Sequence, residues 1–165
     1  MSLYALAKRV LDELQTAGLT LTTAESCTGG LISSALTEHA GSSAVYLGGV
    51  IAYSNHVKTA LLGLDDALIR DFGAVDARVA RVMAEGAARA IGADIAVAVT
   101  GIAGPSGGTP QKPVGLVYVA VVSSTGCEVE ELRLEGDRRR IREQSAERAL
   151  EMVLECVARD ARDRL

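Results

Sequence analysis

The segment ADIAVAVTG, residues 93–101, has five successive apolar residues from Ile95 to Val99 and no polar face. A run of that length, ended by a glycine, reads as a strand buried on both sides, and such a strand needs a packing layer above and below its sheet. Helical patterns on either side of it in the chain supply those layers.

Leu3, Leu6, Ala7, Val10, Leu11 and Leu14 mark one face of a first helix, which Gly18 stops. LTLTTA (19–24) is a short β-branched strand, and a helix follows Ser26 through about Glu38, closed by Gly41. AVYLGGVIAYS is a second strand whose glycine pair allows a bend or a close backbone approach. NHVKTALLG is a short helix with Asn55 as its N-cap, followed by an acidic turn, LDDALIRDFG, and a longer helix, DARVARVMAEGAARAIG. After the central strand comes a loop, IAGPSGGTPQKP, and then two strands, VGLVYVAVVSS and CEVEELRLEG, joined as a hairpin at Thr125-Gly126. A last helix runs from about Arg138 to Arg162, burying Ala149, Met152, Val153, Cys156 and Val157. The order α-β-α-β-α-α-β-β-β-α predicts an α/β protein: a three-layer α/β/α sandwich with a mixed, mainly parallel sheet, in one domain spanning residues 1–165.

A net charge of −4 gives no bulk attraction to nucleic acid or to an anionic membrane surface. Arg138, Arg139, Arg140 and Arg142 are interleaved with Glu135, Asp137 and Glu143, as on a solvated helix face. Cys27, Cys127 and Cys156 form neither a disulfide framework nor a metal motif, and reduced thiols imply a cytoplasmic chain. The first fifteen residues are amphipathic, unlike a signal peptide, and no apolar run approaches a membrane span.

Binding sites in such sheets lie beyond the carboxyl ends of strands. Three unusual loops occupy those places: the one at Ser26, the turn Tyr53-Ser54-Asn55, and Gly101–Pro113. On local pattern Ser26 is a helix N-cap. As a nucleophile it would need a base, while first-turn amides would serve an oxyanion and Gly29 and Gly30 would admit a ligand close to the backbone. His39 falls at the far end of the same helix, and His56 has no evident orienting carboxylate. Lys58 is the stronger base, since a lysine shielded by apolar neighbours near a positive helix end loses its proton more readily. Taken singly, Lys58 reads as a solvated lysine and Tyr53 as a core tyrosine with a wet hydroxyl. Cys27 competes with Ser26, because helix N-termini also lower thiol pKa, or it packs under the loop.

The glycine-rich loop is not a P-loop, yet its glycines with Thr100 and Thr109 can present amides and hydroxyls to a phosphate or carboxamide. Arg138 and Arg142 stand four apart on one helix face and can grip a phosphate by forked hydrogen bonds. Asp65-Asp66 lacks ligand spacing, and no metal or cofactor is expected.

Together, AESCTGGLIS, GGVIAYSNHVKTALLG, GAVDARVA, VAVTGIAGPSGGTPQKPVGLVYVA and GDRRRIRE resemble the CinA C-terminal domain family, across nearly the whole chain and in the family's order. The start at Met1, just before the first helix, is expected of a stand-alone form lacking the N-terminal domain of two-domain members. The resemblance implies a nicotinamide-nucleotide amidase, converting nicotinamide mononucleotide to nicotinic acid mononucleotide and ammonia in pyridine nucleotide recycling. It assigns catalysis to Ser26, Tyr53 and Lys58, with Lys58 taking the serine proton directly or through Tyr53. Substrate-binding residues are then expected at Cys27, Thr28, Gly29, Gly30, Thr100, Gly101, Gly104, Gly107, Gly108, Thr109, Arg138 and Arg142. An amidase for another nucleotide-like carboxamide, or a non-catalytic competence-related binding module, are the competing readings. A homodimer is expected, because the alanine-rich helix 76–91 packs well; no nucleic-acid or membrane partner is.

Overall fold

The computed structural model describes residues 1–163. Along the chain run α1 (Leu3–Ala17), β1 (Leu21–Glu25), α2 (Leu31–Thr37), β2 (Tyr46–Ile51), α3 (Asn55–Leu62), α4 (Asp66–Phe72), α5 (Ala77–Ile91), β3 (Ile95–Gly101), β4 (Leu116–Ser123), β5 (Gly126–Arg133) and α6 (Arg138–Asp163). Five strands form one sheet in the order β2-β1-β3-β4-β5. β1 pairs in parallel with β2 and β3, and β4 pairs antiparallel with β3 and β5. All the strands except β4 therefore share one direction, giving the mixed, mainly parallel sheet expected of the sequence.

β3 lies at the centre, which is why its sequence has no polar face. Ile95, Val97 and Val99 pack with residues of α1, α2 and α6, while Ala96 and Ala98 pack with Leu62 of α3 and with Val79, Ala80, Met83, Ala84 and Ala87 of α5. Ile95 to Val99 are all fully buried, each large side chain contributing about 1.5–3 kcal/mol. The two faces differ in relief. The alanine side lets α5 settle close, and its Gly86 meets the end of α3 so tightly that an added Cβ would stand 2.0 Å from the Leu62 carbonyl oxygen.

Helix starts follow local polar chemistry. Ser2 caps α1, Asp76 caps α5, and Asp137 accepts from Arg140 N at the start of α6. At α3 the cap is Ser54, which accepts from Val57 N at 3.2 Å, and the expected cap Asn55 is the first helical residue. The acidic segment expected as a turn contains α4, because Asp65 accepts from Ala67 N at 2.8 Å and starts seven helical residues. Leu68 and Ile69 pack only partly buried on the α5 side of the core and Phe72 is exposed, so the apolar pattern of this helix is short.

The apolar face of α5 is spent within the protomer, against the sheet and α3. The exposed large apolar side chains near the β2 edge of the sheet are instead Leu47, Ile51 and Tyr53. No helix among the described residues is long and apolar enough to cross a membrane.

Candidate active site

The carboxyl ends of β1, β2 and β3 lie side by side, and the chain leaving each of them lines one pocket of about 300 Å³. Beyond β1 the chain does not enter a helix at once. Ser26 follows the strand directly with its N–H donating to Val99 O at 3.0 Å, and Gly29 N closes a turn onto Ser26 O at 3.0 Å. Gly29 and Gly30 then take φ of 57° and 97°, and α2 begins only at Leu31. Ser26 is therefore not an N-cap. The cap comes from Glu25, which is fully buried and accepts from Ile32 N, Ser33 N and the Ser33 hydroxyl at 2.9, 3.0 and 2.6 Å. Its charge meets the positive end of the helix, so a carboxylate inside the protein has three donors. Thr23, Ser33 and Tyr46 hydroxyls complete this network in the space that a Cβ on Gly49 would invade.

Lys58 is the largest buried polar side chain, only 1% exposed. Its Nζ lies 3.0 Å from Ser26 Oγ, 2.8 Å from Ala52 O and 3.3 Å from Tyr53 O. No carboxylate forms an ion pair with it among the described residues. Burial holds the amine below its ordinary range, opposed by the influence of Cys27. A neutral amine has two N–H donors and one lone pair. As an ammonium Lys58 donates to Ser26 Oγ and to both carbonyls; on giving up one proton it would keep two N–H groups for Ala52 O and Tyr53 O and turn a lone pair to the Ser26 hydroxyl.

Cys27 also lines the pocket, but burial pushes its thiol up to about 12. Next to Ser26 it is a neutral, packed side chain with little thiolate to offer. Ser26 N and Gly29 N are committed, which leaves the Cys27, Thr28 and Gly30 amides without a backbone acceptor; of these three residues only Cys27 lines the pocket, and the expected binding residue Thr28 lies behind it. Thr28 is fully buried, and its Oγ1 has no hydrogen-bond partner.

Other expected site residues separate into two groups. Thr100, Gly101 and Arg138 line the pocket, and Thr100 Oγ1 donates to Ala74 O at 2.8 Å, pinning the α4–α5 connection as the opposite wall. Tyr53 lines the mouth and is 62% exposed; its hydroxyl accepts from Arg138 Nη2 at 3.1 Å and touches neither Ser26 nor Lys58. What Tyr53 offers Lys58 is its backbone carbonyl. Arg138 Nη1 donates to Gly104 O at 2.9 Å, so Gly104 serves the site through its carbonyl.

Gly107, Gly108 and Thr109 stand outside the pocket, where Thr109 closes a turn with Lys112 through its amide and hydroxyl. Gly30 packs beside Ile51 and Gly29 beside Arg142, neither facing the pocket. Arg142 does not join Arg138 at the pocket: its Nε and Nη2 donate to Cys27 O and Thr28 O at 3.1 and 2.7 Å. Ala74, Val75, Asn55 and Ala103 line the pocket without having been anticipated. Three of the four are plain apolar residues with no chemical signal in the sequence, and Asn55 had been assigned to capping. Among the described residues no cluster of His, Cys, Asp or Glu is arranged to hold a metal ion.

The CinA C-terminal domain family model matches residues 3–157. A CinA-like protein of Citrifermentans bemidjiense is 55% identical over 129 residues, 78% of this chain and 31% of that protein. Another, of Acidobacterium capsulatum, is 51% identical over 144 residues, 87% of this chain and 35% of that protein. The chain thus spans about a third of the length of the curated relatives it matches. Among solved structures, the competence/damage inducible protein CihA of Agrobacterium tumefaciens superposes with a TM-score of 0.90 at 45% identity, covering 93% of this chain and 94% of that one. A CinA superfamily protein of Klebsiella pneumoniae superposes at 0.93 with 33% identity, covering 96% and 99%.

Proposed function

This chain belongs to the CinA C-terminal domain family, and from that premise we propose that it hydrolyses the carboxamide of nicotinamide mononucleotide, releasing nicotinic acid mononucleotide and ammonia in the cytoplasm. The observation that carries the reading is the buried contact of Lys58 Nζ with Ser26 Oγ at 3.0 Å, with two carbonyls holding the same nitrogen. A serine hydroxyl needs a base to attack an amide, and a lysine desolvated in this way is such a base.

In the proposed reaction Lys58 takes the Ser26 proton as Oγ attacks the carboxamide carbon. The carbonyl π pair moves onto oxygen, and the amide of Cys27 receives the oxyanion. When that pair returns, the C–N bond breaks, and the Lys58 ammonium gives its proton to the departing nitrogen, freeing ammonia. Lys58 is neutral again and removes a proton from water, which attacks the acyl ester; the carboxylic acid leaves as its anion and Ser26 recovers its proton. Arg138 is the cation at the pocket mouth and is assigned to the nucleotide's phosphate, with Tyr53 beside it. In this reading Tyr53 orients the mouth, and proton transfer is direct.

Incubation with nicotinamide mononucleotide and measurement of ammonia tests the proposal. Ser26→Ala and Lys58→Met should each abolish release, whereas Tyr53→Phe should raise KM and keep kcat within about threefold, as expected where a contact serves binding alone. A wild-type protein that releases no ammonia sinks the substrate assignment. Collapse of kcat in Tyr53→Phe returns its hydroxyl to the proton path.

A further inference from the structure

We propose that Arg142 is a positioning residue for the oxyanion-binding amide of Cys27, and not a ligand of the substrate's phosphate; this rests on Ser26 being the nucleophile. Arg142 follows Arg138 by one turn of α6 but turns to the other side of the nucleophile turn, away from the pocket. Its guanidinium donates through Nε to Cys27 O at 3.1 Å and through Nη2 to Thr28 O at 2.7 Å.

The consequence follows from peptide geometry. The peptide joining Cys27 to Thr28 is trans, so its C=O and N–H point in opposite directions. Drawing Cys27 O to α6 therefore fixes the plane of that peptide. The same fork holds Thr28 O and thereby sets the next peptide, whose Gly29 N–H donates to Ser26 O. Holding Ser26 O in turn sets the Cys27 N–H. The Cys27 amide offered to the oxyanion thus stands between a carbonyl held by Gly29 N and one held by Arg142.

Thr28 O has a second donor in Leu31 N at 3.1 Å, so the pin that the turn itself does not supply is the one on Cys27 O. Gly29 and Gly30, both at positive φ, leave the segment the loosest backbone that side chains can give it. Glu25 anchors only what comes afterwards, at Ile32 and Ser33. A planar fork spans two carbonyls at fixed spacing, which a lysine ammonium on a flexible stem does not. The arrangement agrees with the absence of Arg142 from the pocket lining, where Arg138 is present.

The test compares Arg142→Lys and Arg142→Met with wild type in the full chain, using two reactions and one binding probe. With nicotinamide mononucleotide, kcat should fall about 10- to 100-fold in both variants while KM stays within about threefold, because a misplaced oxyanion donor acts on the transition state. Labelling of Ser26 by an alkyl fluorophosphonate should slow in the same proportion. The pH of half-maximal labelling, set by Lys58, should not move, as it would if the base were disturbed. Inhibition by inorganic phosphate should be unchanged in the Arg142 variants and weakened in Arg138→Ala. The assignment is overturned if either Arg142 variant raises KM or the phosphate inhibition constant tenfold with kcat retained, or if Arg142→Lys reacts at the wild-type rate. Failure of both variants to fold, judged by circular dichroism, would make Arg142 a plain anchor and also overturn it. If wild type labels at Ser26 but releases no ammonia, the substrate assignment fails alone and the labelling rates decide; no labelling of wild type ends both.

Discussion

Gly86→Ala is a one-methyl change remote from Ser26 that should nonetheless reach it. The new Cβ would stand 2.0 Å from Leu62 O, 2.8 Å from Leu62 C and 3.0 Å from Leu62 Cα. These are backbone atoms, which cannot rotate away, so α3 and α5 must part by about 1 Å to bring the closest contact to 3 Å, the shortest that packed carbon atoms tolerate. Overpacking of this kind costs up to about 3 kcal/mol, and the better helix propensity of alanine returns about 1 kcal/mol. The net loss of about 2 kcal/mol should lower the melting temperature by about 4–8 °C for a chain of this size. Lys58 lies one turn before Leu62 on the same face of α3, so the movement carries Nζ with it. From 3.0 Å the Nζ–Oγ separation should open to about 4 Å, outside proton-transfer reach, with a loss in rate of up to about 100-fold. Thermal melting followed by circular dichroism and fluorophosphonate labelling of Ser26 read the two effects. A variant that melts at or above the wild-type temperature and labels at the wild-type rate would show that the α3–α5 contact does not set the position of the base.

Lys58 has a folded pKa below the 10.5 of the free side chain, so between those values the unfolded chain holds a proton the folded chain lacks. Stability should therefore rise with pH through that window and level off above about 10.5, the labelling rate should rise only where the folded amine titrates, at the lower end of the window, and Lys58→Met should flatten the stability profile; a stability that falls with pH across the window would contradict this. Cys27→Ala should retain at least about a tenth of the labelling rate, because a thiol held near 12 supplies almost no thiolate at neutral pH, whereas labelling that survives in Ser26→Ala and vanishes in Cys27→Ala would move the nucleophile to sulfur. Glu25→Gln should destabilise the protein by about 2 kcal/mol in urea, since its NH2 faces donors that the carboxylate accepts from; an unchanged midpoint would deny the cap its role.

Long elements were legible because their periodicity is their packing. The i, i+3, i+4 row from Leu3 to Leu14 and the unbroken run from Ile95 to Val99 state directly which surfaces are buried. α4 was not, because it is seven residues long and buries only part of Leu68 and Ile69, its start being set by the cap at Asp65. The start of α2 was misplaced because the residue that decides it, Glu25, acts seven and eight positions ahead, on Ile32 and Ser33. A carboxylate at a strand end looks the same in sequence whether it caps a helix or faces water. Ser26 and Lys58, 32 residues apart, were connected through the family resemblance, and no local pattern announces their contact. Arg142 illustrates the opposite limit. Its spacing from Arg138 was readable, but two arginines on one helix face still part where one finds carbonyls and the other a tyrosine hydroxyl.

The unequal relief of the two sheet faces sets how freely the protein can drift. On the α1, α2 and α6 side, Ile95, Val97, Val99, Val117, Val119 and Val121 can exchange methyl groups among themselves, because a loss at one position can be matched by a gain at its neighbour. On the α5 side, Ala24, Ala96, Ala98 and Ala120 have no such latitude: glycine weakens the strand and anything larger lifts the helix. Selection for altered stability should therefore accumulate substitutions on the first side and leave the second nearly untouched. The quiet side is also the one that carries α3 and its lysine, so the half of the core nearest the base is the half with least room to vary.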